Sequence, residues 1–101
     1  MVKHVILWKL NKELSEEEKK QVKNDMKKNL EALVGVVPGL VSLKIYTEAL
    51  DSSNADVMLD SVLLDEEKLL GYQKHPQHVA VANTYVRPFA EVRLCLDTKE
   101  D

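Results

Sequence analysis

The order in which two hydrophobic periods alternate along the chain constrains its fold more than any single motif does. Residues 2 to 10, VKHVILWKL, repeat with period two, so His4, Ile6, Trp8 and Leu10 share one side of a strand while Lys3, Val5, Leu7 and Lys9 share the other. Both sides are apolar at the middle of this strand. Ser15-Glu16-Glu17-Glu18 then has the spacing of a capping box, in which the serine oxygen accepts from the amide three residues on and the glutamate reaches back. The helix it starts carries Val22, Met26, Leu30, Leu33 and Val34 at helical spacing, opposite a face of lysines and glutamates. Gly35 and Pro38 end it, and GLVSLKIYTEAL, residues 39 to 50, returns to period two with Val41, Leu43 and Ile45 on one side. Asp51-Ser52-Ser53-Asn54 supplies the turn into a third strand, residues 55 to 64.

The second helical region is interrupted. Asp65 is placed to cap DEEKLLGYQK, but Pro76 pushes the residue before it out of the helical region, so the break falls at His75. Proline suits the first position of a new helical segment, which runs through PQHVAVANTYV until Arg87-Pro88. A last strand, residues 90 to 97, alternates Val92, Leu94 and Leu96 against Glu91, Arg93 and Cys95. The resulting order of strand, helix, strand, strand, helix, strand predicts an α+β, ferredoxin-like fold, with both helices on one face of a four-stranded antiparallel sheet. Residues 1 to 97 read as one domain and Thr98 to Asp101 as a short disordered tail.

Helices on one face leave the other to meet water or a partner. With His4, Ile6, Trp8, Val57, Leu59, Leu63, Val92, Leu94 and Leu96 assigned to the helix side, the far side still shows Val5, Leu7, Met58, Val62 and Cys95. A contiguous apolar surface of that kind marks an interface, and a two-fold homodimer packing sheet on sheet would cover it. Lys3, Lys9, Asp60 and Arg93 are then its polar contacts.

Composition removes other classes of function. No apolar run approaches the roughly 20 residues that span a bilayer, and the chain's start is apolar for too few residues to be a signal peptide, so a cytoplasmic location is expected. A net charge of −3, with the basic residues interleaved among glutamates, offers nothing to a nucleic acid. The lone Cys95 excludes an internal disulfide and a thiolate-rich zinc site, and its setting reads as a small buried hydrophobe. There is no glycine-rich phosphate loop and no serine elbow, and no cofactor is expected.

The chemistry-bearing residues gather in GYQKHPQHVAV, residues 71 to 81. His75 and His78 stand three apart, but the proline break keeps their rings from converging, and zinc would still need ligands such as His4, Asp56 or Asp60 that no spacing fixes. The carbonyls ending the first helix, Leu30 to Val36, could hold a hard cation, so metal binding stays open. His78, in the first turn of the new segment, feels the positive end of the helix dipole and should be a neutral base. Tyr72 offers a hydroxyl to a carbonyl oxygen on which charge develops; together the two could remove a proton beside a carbonyl and steady the enolate. The competing reading has His78 bonded to backbone, Tyr72 packed on the sheet, and His4 and Trp8 in the core.

VKHVILWKL, Ala55-Asp56, GYQKHPQHVAV and a closing strand ending in Asp97 resemble the stress-responsive A/B barrel domain family over nearly the whole chain. The resemblance implies a dimeric α+β barrel. It also implies one of three activities: that of plant stress proteins without a defined reaction, a cofactor-free lyase or cyclase of the polyketide-aldol type, or, by likeness to other dimeric barrels, a cofactor-free monooxygenase. In the cyclase reading the base matches His78, its partner Tyr72, and a pocket histidine His4. The pocket walls would be Ile6 and Trp8 from the first strand, Val22 and Met26 from the first helix, Leu59 and Leu63 from the third strand, and Val81, Phe89, Val92 and Leu94 beyond. The implied ligand is a small apolar compound with a carbonyl group. Val57 replaces a further histidine of the plant cyclase, and several wall positions are aliphatic where that enzyme has aromatics.

Overall fold

The computed structural model describes residues 1–100, with the expected tail residue Asp101 outside the described residues. Strand β1 (Val2–Leu10) leads into helix α1 (Glu16–Glu31), followed by β2 (Leu40–Tyr46) and β3 (Val57–Leu63). Helices α2 (Glu66–Lys74) and α3 (Pro76–Val81), a π-helical turn (Ala82–Val86) and β4 (Ala90–Lys99) complete the order. The sheet runs β2-β3-β1-β4 with every neighbouring pair antiparallel, which is the ferredoxin-like arrangement expected from the periodicities.

Local chemistry places each boundary. Ser15 Oγ accepts from the Glu18 amide at 3.1 Å and Glu18 Oε1 accepts from the Ser15 amide at 2.9 Å, so α1 begins with a complete capping box. Val22, Met26 and Leu30 are its buried face. Truncating the fully buried Met26 to alanine would cost about 2–5 kcal/mol. Asp65 accepts from the Lys68 amide at 2.8 Å to start α2. His75 is extended (φ −61°, ψ 131°), as a residue before proline must be, and its Nδ1 accepts from the Gln77 amide at 3.1 Å to cap α3. The edge strand β2 is tied to α1, where Glu31 Oε2 accepts from the Ile45 amide at 2.9 Å and Lys27 Nζ donates to the Ile45 carbonyl at 3.0 Å.

Four expectations need correction. Val41 is exposed, because a register shift between Leu40 and Ser42 turns Leu40, not Val41, inward beside Leu43 and Ile45. The segment after Pro76 does not stay α-helical: its last turn widens to π geometry, closed by the Arg87 amide donating to the Ala82 carbonyl at 2.8 Å. Thr98 and Lys99 continue β4, and the Glu100 amide donates to the Met1 carbonyl at 2.9 Å, so these residues are ordered as sheet.

The fourth correction is the largest. Directly paired residues of an antiparallel sheet point to the same face, and Trp8 pairs with Arg93, Ile6 with Cys95 and His4 with Asp97. Arg93, Cys95 and Asp97 therefore face the helix side, and Cys95, read from its setting as a buried hydrophobe, is exposed there because no helix covers β4. Val92, Leu94 and Leu96 pair with Lys9, Leu7 and Val5 and lie on the outer face, where Leu94 is 62% and Leu96 66% exposed. That outer face also carries Leu7, Met58, Val62 and Tyr46, with Lys3 paired to Asp60 at 3.2 Å.

Candidate functional site

The helices cover β2, β3 and β1 but leave the inner side of β4 open, and a cavity of about 500 Å³ lies there. His4, Ile6, Trp8 and Leu59 form its sheet wall; Leu30, Gln73, His78, Ala82 and Val86 form its helix wall. Arg87, Ala90, Glu91, Val92 and Arg93 line it from the end of the π turn and the start of β4. The apolar body with a few polar groups is what a small-molecule site requires.

His78 projects from the first turn of α3, which the His75-Pro76 break aims back across α2. Its Nδ1 lies 3.3 Å from the Gln73 carbonyl oxygen, and since a carbonyl can only accept, Nδ1 carries the proton and Nε2 keeps a free lone pair. Burial pushes its pKa below the ordinary 6.5, and the positive charges of Arg87 and Arg93 add to the effect, while the Gln73 bond opposes it. His78 is thus a neutral imidazole at pH 7, with burial as the main cause instead of the helix dipole.

Tyr72 is fully buried behind this wall. Its ring centroid stands 4.3 Å from that of His78 and 6.1 Å from that of His4, an edge-on contact in the second case. Its hydroxyl has no hydrogen-bond partner among the described residues, and burial raises its pKa well above the usual phenol value, so it stays protonated. Tyr72 touches the two histidines but does not line the cavity. His4, 1% exposed, donates through Nδ1 to Asp97 Oδ1, and Cys95 Sγ stands 3.7 Å from the same nitrogen.

The other expected wall residues divide by depth. Val22, Met26 and Leu63 lie in the core beyond the cavity, and Val81 and Phe89 pack partly buried against that core. Leu94 is on the opposite face of the sheet. Val92 borders the cavity although it pairs with Lys9. The carbonyls of Leu30, Glu31 and Leu33, considered for a hard cation, accept amides of Leu33, Val34, Val36 and Val37. Gln73, Arg87, Glu91 and Arg93 are cavity residues that the sequence pattern did not single out. One signal was available for β4: its Arg93-Cys95-Asp97 phase holds all the reactive side chains, while the Val92-Leu94-Leu96 phase is suited to an apolar interface.

The sheet order and the cavity between helices and β4 define a ferredoxin-like α+β protein with a small-molecule-sized site. Residues 2–100 match the model of the Stress responsive A/B Barrel Domain, and the chain belongs to that family. A dimeric protein of unknown function from Bacteroides fragilis is 27% identical with a TM-score of 0.92, over 98% of this chain and 95% of that one. A family member with a ferredoxin-like fold from Mesorhizobium loti is 20% identical with a TM-score of 0.75, over 98% and 95%. The hydroxynitrile lyase of Passiflora edulis is 17% identical with a TM-score of 0.72, over 96% and 90%, a likeness of fold alone. No match is found among curated proteins.

Proposed function

We propose that the protein is a homodimeric barrel that binds a small carbonyl compound between helices and sheet and removes a proton from the carbon beside the carbonyl. The observation that carries this reading is His78: a neutral imidazole on the wall of a cavity of about 500 Å³, its Nδ1 turned to the Gln73 carbonyl and Nε2 left to act as base. The electron pair released from the C–H bond moves onto the carbonyl oxygen, where the guanidinium groups of Arg87 and Arg93 stabilise the enolate. Tyr72 supports the imidazole from behind, its ring centroid 4.3 Å from that of His78 and its hydroxyl buried away from the cavity. The outcome is an aldol-type cyclase or a lyase, according to what the enolate attacks or expels. The outer face of the sheet, with Leu7, Leu94 and Leu96, supports sheet-to-sheet dimerisation, and the Bacteroides fragilis neighbour is described as dimeric.

Proton abstraction is measured directly by deuterium exchange into a panel of β-dicarbonyl compounds in heavy water. The wild type is expected to exchange at a rate that levels off at high pH and falls to half at a pH below 6.5, because the His78 pKa is lowered and only the neutral ring is a base. His78→Ala should slow exchange by roughly 100-fold or more. Equal rates in the two proteins across the panel would remove the proposal.

A further inference from the structure

We propose that His4, Cys95 and Asp97 form a binding site for a zinc-class transition-metal ion at the edge of the cavity, an inference that does not rest on the His78 chemistry. The antiparallel register sets the three side chains together: His4 pairs directly with Asp97, and Cys95 lies two residues back on the same face of β4. Their donor atoms, His4 Nδ1, Cys95 Sγ and a carboxylate oxygen of Asp97, all lie within 4.8 Å of one another. The Sγ to Nδ1 distance is 3.7 Å and the Sγ to Oδ1 distance 3.5 Å. A tetrahedral zinc ion, with bonds of about 2.3 Å to sulfur and about 2.0–2.1 Å to nitrogen and oxygen, needs donor-to-donor edges of about 3.3 to 3.6 Å. The 3.5 Å edge falls within that range and the 3.7 Å edge lies just beyond it. The third is the His4–Asp97 hydrogen bond, which opens by rotation of the Asp97 side chain, 38% exposed on an edge strand.

The donor set selects the ion. One thiolate, one imidazole and one carboxylate suit borderline-soft zinc and its cobalt stand-in, while calcium and magnesium require oxygen donors throughout. The sulfur's proton leaves to solvent, and the His4 ring gives up its Nδ1 proton and carries one on Nε2 instead, so that Nδ1 presents a lone pair as the bonds to the metal form. Rigidity comes from His4, whose buried ring sits edge-on to Tyr72 and whose carbonyl accepts from Ser61 Oγ at 2.8 Å. Three protein ligands leave the fourth position for water or a ligand atom, and His4 also lines the main cavity.

The test uses the full-length protein, stripped with a chelator, reduced, and titrated with cobalt(II) for spectroscopy and zinc(II) for calorimetry. One ion per chain is expected, with the thiolate-to-cobalt charge-transfer band and tetrahedral visible absorption. Cys95→Ser, a change at an exposed position, should abolish the charge-transfer band and weaken zinc by about tenfold or more. Asp97→Asn should keep the band and weaken zinc. No binding at submillimolar zinc, or binding and spectrum unchanged in Cys95→Ser, would overturn the proposal and leave the three side chains as a hydrogen-bonded cluster.

Discussion

Removing the Tyr72 hydroxyl separates its structural from its chemical effect. A buried hydroxyl without a partner costs about 1–3 kcal/mol, and phenylalanine keeps the ring contacts with His4 and His78. Tyr72→Phe is therefore expected to raise the free energy of urea unfolding by about 1 kcal/mol while leaving carbonyl exchange largely unchanged, since Tyr72 does not line the cavity; a fall in stability would show that the hydroxyl has a partner in the assembled protein. At this scale the sequence located the helix break at His75 and put His78 in the first turn after it, because a proline fixes its neighbourhood locally. It pointed away from Arg93, since alternation reports which residues share a face and not which face is turned to the helices.

Elements were the most legible level, and for local reasons. The capping box at Ser15, the Asp65 cap and the Pro76 break each depend on residues within a few positions of one another. Ser15→Ala should lower stability by about 1 kcal/mol with no change in the oligomer, as read from urea unfolding at fixed concentration. Where an element's detail depends on its neighbours, local reading gave the wrong answer: the bulge that turns Val41 out belongs to the pairing with β3, and the π turn at Ala82–Val86 has no signature in residue types alone. That turn matters, because it brings Val86 and Arg87 to the cavity wall.

For the whole molecule, the two faces of the sheet divide the work. Helices cover the inner face except along β4, which leaves the cavity; the outer face carries Leu7, Leu94 and Leu96 beside the Lys3–Asp60 pair. A charge at the centre of that face should oppose burial against a second copy without disturbing the core of one chain. Leu94→Asp is accordingly expected to give a monomer in sedimentation velocity with unchanged far-ultraviolet circular dichroism, whereas a persisting dimer would place the interface elsewhere.

The sequence by itself determined the order of elements, the antiparallel sheet and the helix break beside His78, because each follows from periods and caps a few residues long. Only the tertiary structure decided which phase of β4 faces inward. The strand is apolar in one phase and reactive in the other, and pairing with β1 over some ninety residues of separation chooses between them. That single choice sends Leu94 to the outer face, Arg93 to the cavity, and Cys95 and Asp97 to the side of His4.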